Sequence, residues 1–129
     1  MIKQGILNPQ ILSLLARVRH TNTLVIADRG FPYWKMIEMV DISLVDNVPT
    51  VLQVLDALKA NFLVGQIFMA EEFKTENTPE VQKAFETIRR DIPITFEPHN
   101  NFKLRVPQAV GLIRTGDTIQ YANMILESA

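Results

Sequence analysis

The sequence contains no cysteine, which excludes disulfide frameworks and thiolate catalysis and is compatible with a reducing compartment. Histidine is scarce as well, with two residues, so any imidazole chemistry rests on His20 and His99. Neither sign of charge dominates: 13 Lys and Arg stand against 14 Asp and Glu. The basic residues are scattered along the chain, which gives no electrostatic reason to expect nucleic acid or a membrane surface as partner. No apolar run approaches the ~20 residues that span a bilayer, and the opening MIKQGILNPQ has too short an apolar stretch for a signal peptide. A cytoplasmic protein is therefore expected. Glycine-rich phosphate loops and clustered metal ligands are also lacking, so the sequence points to no metal and no bound cofactor.

What is present describes a folding chain. Its 129 residues are 47% hydrophobic, and the mean hydropathy is +0.09, enough for one domain over residues 1–129 with a buried core. Asn8-Pro9 reads as a helix entry, with Ile11, Leu12, Leu15 and Val18 at helical spacing and an end expected near His20. Thr23 to Ala27 (TLVIA) is short, β-branched and apolar on both faces, as in a strand covered from both sides. Pro49 is expected to open a second helix through Val51, Val54, Leu55 and Leu58. Thr78-Pro79 opens a third through Val81, Ala84, Phe85 and Ile88. Further strands are expected at Phe62–Ala70, Ile94–Phe96, Ala109–Ile113 and Tyr121–Leu126. Helices interleaved with apolar strands predict an α/β fold: a three-layer α/β/α domain around a mostly parallel, mixed sheet, Rossmann-like in organisation.

In that fold Asp28 follows the carboxyl end of an inner strand, where open α/β sheets place ligand sites. Asp28-Arg29-Gly30-Phe31-Pro32 is then either a site loop or an ordinary turn begun by Asp28. His20 is either functional or a cap at the helix end. His99, Asn100 and Asn101 read as a turn followed by one helical turn through Phe102 and Lys103. Strand alternation would put Tyr121 and Asn123 on one face with Ala122 opposite, a phenol beside a carboxamide that suits hydroxyl recognition or the rim of a core. Glu71 and Glu72 are adjacent, which forms no acid–base dyad on a strand or a helix start, and they are left outside the site. Lys74 and Lys103 read as solvated charges.

The segments GILN near the start, His20-Thr21, ADxGxP at Ala27 to Pro32, AEE(F)K at Ala70 to Lys74, a histidine followed by FK, and IRTG(D)…YANxIL from Ile113 to Leu126 form an ordered set. Together they resemble the ribose pyranase/L-fucose mutarotase family, in its D-ribose pyranase branch, along nearly the whole chain. The resemblance implies a cofactor-free isomerase that interconverts cyclic forms of an aldose through ring opening. It assigns His20 as the catalytic residue and Asp28, His99, Tyr121, Ala122 and Asn123 as substrate contacts. It further implies a homo-oligomer, a decamer of two pentameric rings, with the site between neighbouring subunits. Histidine suits the chemistry because it gives and takes protons near neutral pH.

Three departures lie near the expected site: DRGFP in place of DAGLP, Asn22 after His20-Thr21, and Gln120 before Tyr121 where proline is usual. Arg29, with Arg17 and Arg19, would either add positive potential and favour an anionic ligand or stand as solvated surface charges. Phe31, Tyr33 and Trp34 would either stack a sugar ring or pack between subunits. Alternative functions are a mutarotase for L-fucose or another sugar, a sugar-binding or regulatory module without turnover, and a phosphocarrier using His20 or His99.

Overall fold

The computed structural model describes residues 1–129. Asn8 accepts the Ile11 N–H at 3.0 Å and Pro9 takes the first position of α1 (Pro9–Arg17), so the helix starts where proline's missing N–H costs nothing. It ends three residues before His20, because Val18 turns extended and the Arg19 guanidinium covers the carbonyls of Ala16 and Val18 at 2.6 and 3.0 Å. After β1 (Thr23–Ala27) the chain forms β2 (Glu38–Asp41). This short strand has one buried residue, Val40, too little apolar pattern for a sequence to announce.

α2 (Val51–Lys59) carries a capping box, Thr50 with Gln53. Its N-cap is therefore Thr50, and the expected opening residue, Pro49, lies outside the helix. β3 (Val64–Ala70) is shorter than the apolar run that predicts it. α3 (Glu72–Glu76) follows at once, then α4 (Pro79–Arg89), entered through Thr78 and Pro79 as expected. β4 (Ile94–Glu97) leads into α5 (His99–Arg105), two turns where one is expected, and a 3₁₀ turn at Val106–Gln108. β5 (Gly111–Arg114) and β6 (Met124–Ser128) complete the chain.

The six strands form one sheet in the order β2-β5-β1-β6-β3-β4. β1 pairs in parallel with β5, β5 with β2 and β3 with β4, while β6 runs antiparallel between β1 and β3. Alternate residues of β1 feed two cores. Leu24 and Ile26 join Leu14, Leu55, Phe85 and Met124 under α1, α2 and α4. Val25 and Ala27 join Phe102, Val106, Phe31 and Ile125 on the face covered by α5, the 3₁₀ turn and the loop after β1. The predicted layered α/β domain with a mixed, mostly parallel sheet is what forms.

The reversed direction of β6 positions the site. An antiparallel strand brings its amino end to the edge where its parallel neighbours have their carboxyl ends. The segment before Met124 thus meets the segments after Ala27, Ala70 and Glu97. At the opposite edge, the Thr21 N–H donates to the Ser128 carbonyl at 3.0 Å, which places the turn bearing His20 beside the far end of β6.

Candidate functional site

A cleft of about 410 Å³ opens where these ends converge; among its walls are Asp28, His99, Lys103, Gln120, Tyr121 and Asn123, with Gly30, Phe31 and Pro32 at one side. Asp28 both begins a turn and lines the cleft. Its Oδ1 accepts the Gly30 N–H at 2.9 Å, and its own N–H donates to Asn123 Oδ1 at 2.7 Å. Burial pushes the Asp28 carboxyl above the ordinary aspartate value, against the hydrogen bonds from Gly30 and Asn123, with the nearby Asp117 charge adding to the rise.

His99 heads α5, and its backbone N–H is accepted by both carboxylate oxygens of Glu72 at 3.1 and 3.2 Å. The ring meets Tyr121 edge-on, with centroids 5.2 Å apart, and lies nearly parallel to Phe102 at 6.1 Å. Its Nδ1 is buried with no hydrogen-bond partner in the chain. Burial first, and the Lys103 charge second, hold the imidazole below its ordinary value, while Glu72 and Asp28 pull the other way. Neutral imidazole is thus favoured, a form that accepts a hydrogen bond at one nitrogen and donates at the other.

Tyr121, Ala122 and Asn123 precede β6 and do not lie on it. The expected strand alternation therefore does not apply. Tyr121 instead adopts a left-handed φ of 56°, an uncommon conformation for a bulky residue. The turn is held from outside by Asn77, whose Nδ2 donates to the carbonyls of Phe73 and Gln120, each at 2.9 Å. Tyr121 and Asn123 still face the same cleft. Ala122, expected as a substrate contact, is instead fully buried in the larger core and does not line the cleft.

The RTGD segment has a physical account that its spacing alone does not give. Arg114 donates to Asp41 at 3.0 Å and to the Phe31 carbonyl at 2.8 Å, and Thr115 Oγ1 donates to the Ala27 carbonyl at 2.8 Å. Gly116 passes so close to the carbonyls of Val45 and Val48 that any Cβ would run into them. Asp117, 1% exposed, accepts the N–H groups of Val51 and Ile119, each at 2.8 Å. Its own carbonyl accepts the Arg29 N–H at 3.0 Å. These contacts hold the Asp28 loop against α2 and the turn before β6.

His20 is exposed and is not part of this cleft. It precedes β1 while Asp28 follows it, and the strand alone puts roughly 16 Å between the two sheet edges. The residue after His20, Thr21, has a φ of 68°, uncommon for a β-branched side chain.

Of the two readings of the arginines, the free positive field is not what forms. Arg29 pairs with Asp46 at 2.6 Å and Arg17 with Glu38 at 2.5 Å, and Arg19 caps α1. Phe31 is core and Trp34 stacks on it at 6.5 Å, whereas Tyr33 is exposed. Lys103, read from sequence as a solvated charge, is exposed yet lines the cleft. Glu72, left outside the site, supports His99 directly. Its one signal in the sequence is its place just after a predicted strand end. No group of three or more His, Asp or Glu side chains is arranged to hold a metal ion.

The model of the RbsD / FucU transport protein family matches residues 1–129. The D-ribose pyranase of Geobacillus thermodenitrificans is 44% identical over 128 residues, 99% of this chain and 96% of the relative. The D-ribose pyranase of Enterococcus faecalis is 36% identical over 99% of this chain and 97% of its own length. Among solved structures, Bacillus subtilis RbsD complexed with D-ribose superposes with a TM-score of 0.92 at 34% identity, covering 100% of this chain and 98% of that one. The fucose mutarotase of Streptococcus pneumoniae in complex with L-fucose shares the fold, with a TM-score of 0.80 at 20% identity over 95% of this chain and 92% of that one.

Proposed function

Because this chain belongs to the RbsD / FucU transport protein family along residues 1–129, we propose that it is a sugar isomerase interconverting the pyranose and furanose forms of D-ribose. The observation that carries the reading is the cleft itself. A carboxylate, a neutral-leaning imidazole, a phenol and a carboxamide converge there from three separate parts of the chain, in a protein whose full-length relatives are named D-ribose pyranases.

The chemistry requires little more than proton movement. The anomeric hydroxyl loses a proton as the ring oxygen gains one, and the bond between C1 and the ring oxygen breaks to give the open-chain aldehyde. Attack of the C4 hydroxyl on C1, with the reverse proton movements, closes the furanose. His20 transfers the proton at the ring oxygen or the anomeric hydroxyl. Asp28, His99, Tyr121 and Asn123 hold the remaining hydroxyls. No cofactor or metal takes part in this scheme.

His20 and the cleft lie at opposite edges of one sheet, so His20 of one copy serves the cleft of the next. Such a contact is head-to-tail, and repeated around a closed ring it gives every cleft a histidine. This agrees with the ringed homo-oligomer, a decamer of two pentamers, that the sequence resemblance implies; a cytoplasmic location belongs to the same reading. No helix is long and apolar enough to cross a membrane.

NMR saturation transfer between the pyranose, furanose and open-chain signals of D-ribose tests this, with L-fucose in parallel. Wild type accelerates ribose exchange, and His20→Ala loses about 10²–10⁴-fold of that acceleration, the usual range for general acid–base assistance. A folded wild-type protein that leaves ribose exchange at its spontaneous rate overturns the reading.

A further inference from the structure

β3 and β4 run in parallel with Ala70 opposite Glu97, and the Glu71 N–H donates to the Glu97 carbonyl at 2.8 Å. This register brings the next residue, Glu72, against the first turn of α5. That turn needs an acceptor, because the initial N–H groups of a helix have no partner within it. Pro98 stands at the cap position and makes no side-chain cap. The Glu72 carboxylate fills the role from another element, taking the His99 N–H with both oxygens. α5 is further tied to β4 by Arg105, whose Nε donates to Glu97 at 2.5 Å. The backbone of His99 is thus set by Glu72, and the rotation of its ring by Tyr121 and Phe102.

The charged and titratable groups that face His99 come from four places. Lys103 lies one turn along α5, Glu72 on α3, Asp28 on the loop after β1, and the Tyr121 phenol on the turn before β6. Glu72 therefore contributes both a backbone anchor and a negative charge that counters Lys103.

We propose that Glu72 is a positioning residue of the ribose isomerase: it touches no sugar and acts by holding His99 in place and tuning the charge around its imidazole. The kinetic part of this proposal rests on the isomerase reading above. Its structural part is read independently of turnover.

Glu72→Gln keeps an oxygen acceptor and removes the charge, while Glu72→Ala removes both. With two histidines in the chain, the His99 imidazole Hε1 signal is assigned by comparison with His20→Ala and followed by NMR across pH. Ribose exchange is measured by saturation transfer over the same range. In Glu72→Gln, His99 titrates at a lower pH than in wild type, and the acid limb of the exchange rate moves with His99. In Glu72→Ala the maximal exchange rate falls about ten- to a hundredfold with a smaller change in KM, as expected for a displaced group in the site.

An unmoved His99 titration in a Glu72→Gln protein that urea unfolding shows to be folded overturns the proposal. A loss in Glu72→Ala that merely follows the folded fraction seen in urea overturns it too. If wild type does not accelerate ribose exchange, the isomerase reading fails separately, and the His99 titration alone decides the role of Glu72.

Discussion

Asp28 carries two demands that oppose each other. Its carboxylate faces the cleft, yet burial makes ionisation unfavourable there. Because its value in the folded protein lies above that in the unfolded chain, the associated stability is full below the unfolded value of 3.8 and is lost as pH rises through the folded one. Asp28→Asn is therefore expected to match or exceed wild type in Tm at neutral pH. The difference should shrink as pH falls towards 3.8, while ribose exchange is strongly reduced at every pH. A Tm well below wild type at neutral pH would contradict this account. His99 has the opposite sign: its lowered value means that stability present above 6.5 is lost as pH falls through the folded value. Lys103→Met removes a cause of that lowering and should move the His99 NMR titration upward. Most of each environment is not legible in the sequence: Asp28 meets Asn123 from 95 residues away, and His99 meets Glu72 from 27, leaving Lys103, one turn along the same helix, as the local charge.

Among the elements, those with local causes were the legible ones. Helices α1 and α4 announce themselves by Asn-Pro and Thr-Pro entries and apolar periodicity, and β1 by its β-branched run. β2, with a single buried residue, and α3, with a single buried Phe73, have no such local cause. The start of β6 was misplaced for a related reason: Tyr121–Asn123 look like strand, but Asn77 and the positive φ of Tyr121 hold them as a turn. Asp117 is the side chain on which this corner depends. Asp117→Ala leaves two backbone N–H groups without acceptors, and the loss of both is expected to destabilise by about 2–4 kcal/mol in urea unfolding. A change under ~1 kcal/mol would mean that water or another acceptor replaces the carboxylate.

For the whole molecule, one chain holds a cleft at one edge of its sheet and His20 at the other. The proposed head-to-tail assembly leads to complementation. Neither His20→Ala nor Asn123→Ala alone should accelerate ribose exchange appreciably. Dissociated and reassembled as an equal mixture, they should regain roughly a quarter of wild-type activity, since a quarter of random neighbour pairs combine an intact cleft with an intact histidine. Absence of recovery in verified mixed oligomers would require His20 to act within its own chain.

The sequence by itself determined the layered α/β class, the main helices, the inner strand ending at Asp28, and the family resemblance, because each rests on local periodicity, capping chemistry or ordered motifs. It also named Asp28, His99, Tyr121 and Asn123, which share the cleft, but it read Lys103 as a solvated charge and left Glu72 outside the site. Only the tertiary structure decided how those residues divide between the two edges of the sheet. That division follows from one antiparallel strand inserted among parallel neighbours, a choice of direction that no local pattern in Met124–Ser128 encodes. The same insertion brings Tyr121 and Asn123 to Asp28 and His99, and it leaves His20 at the far edge, beside Ser128.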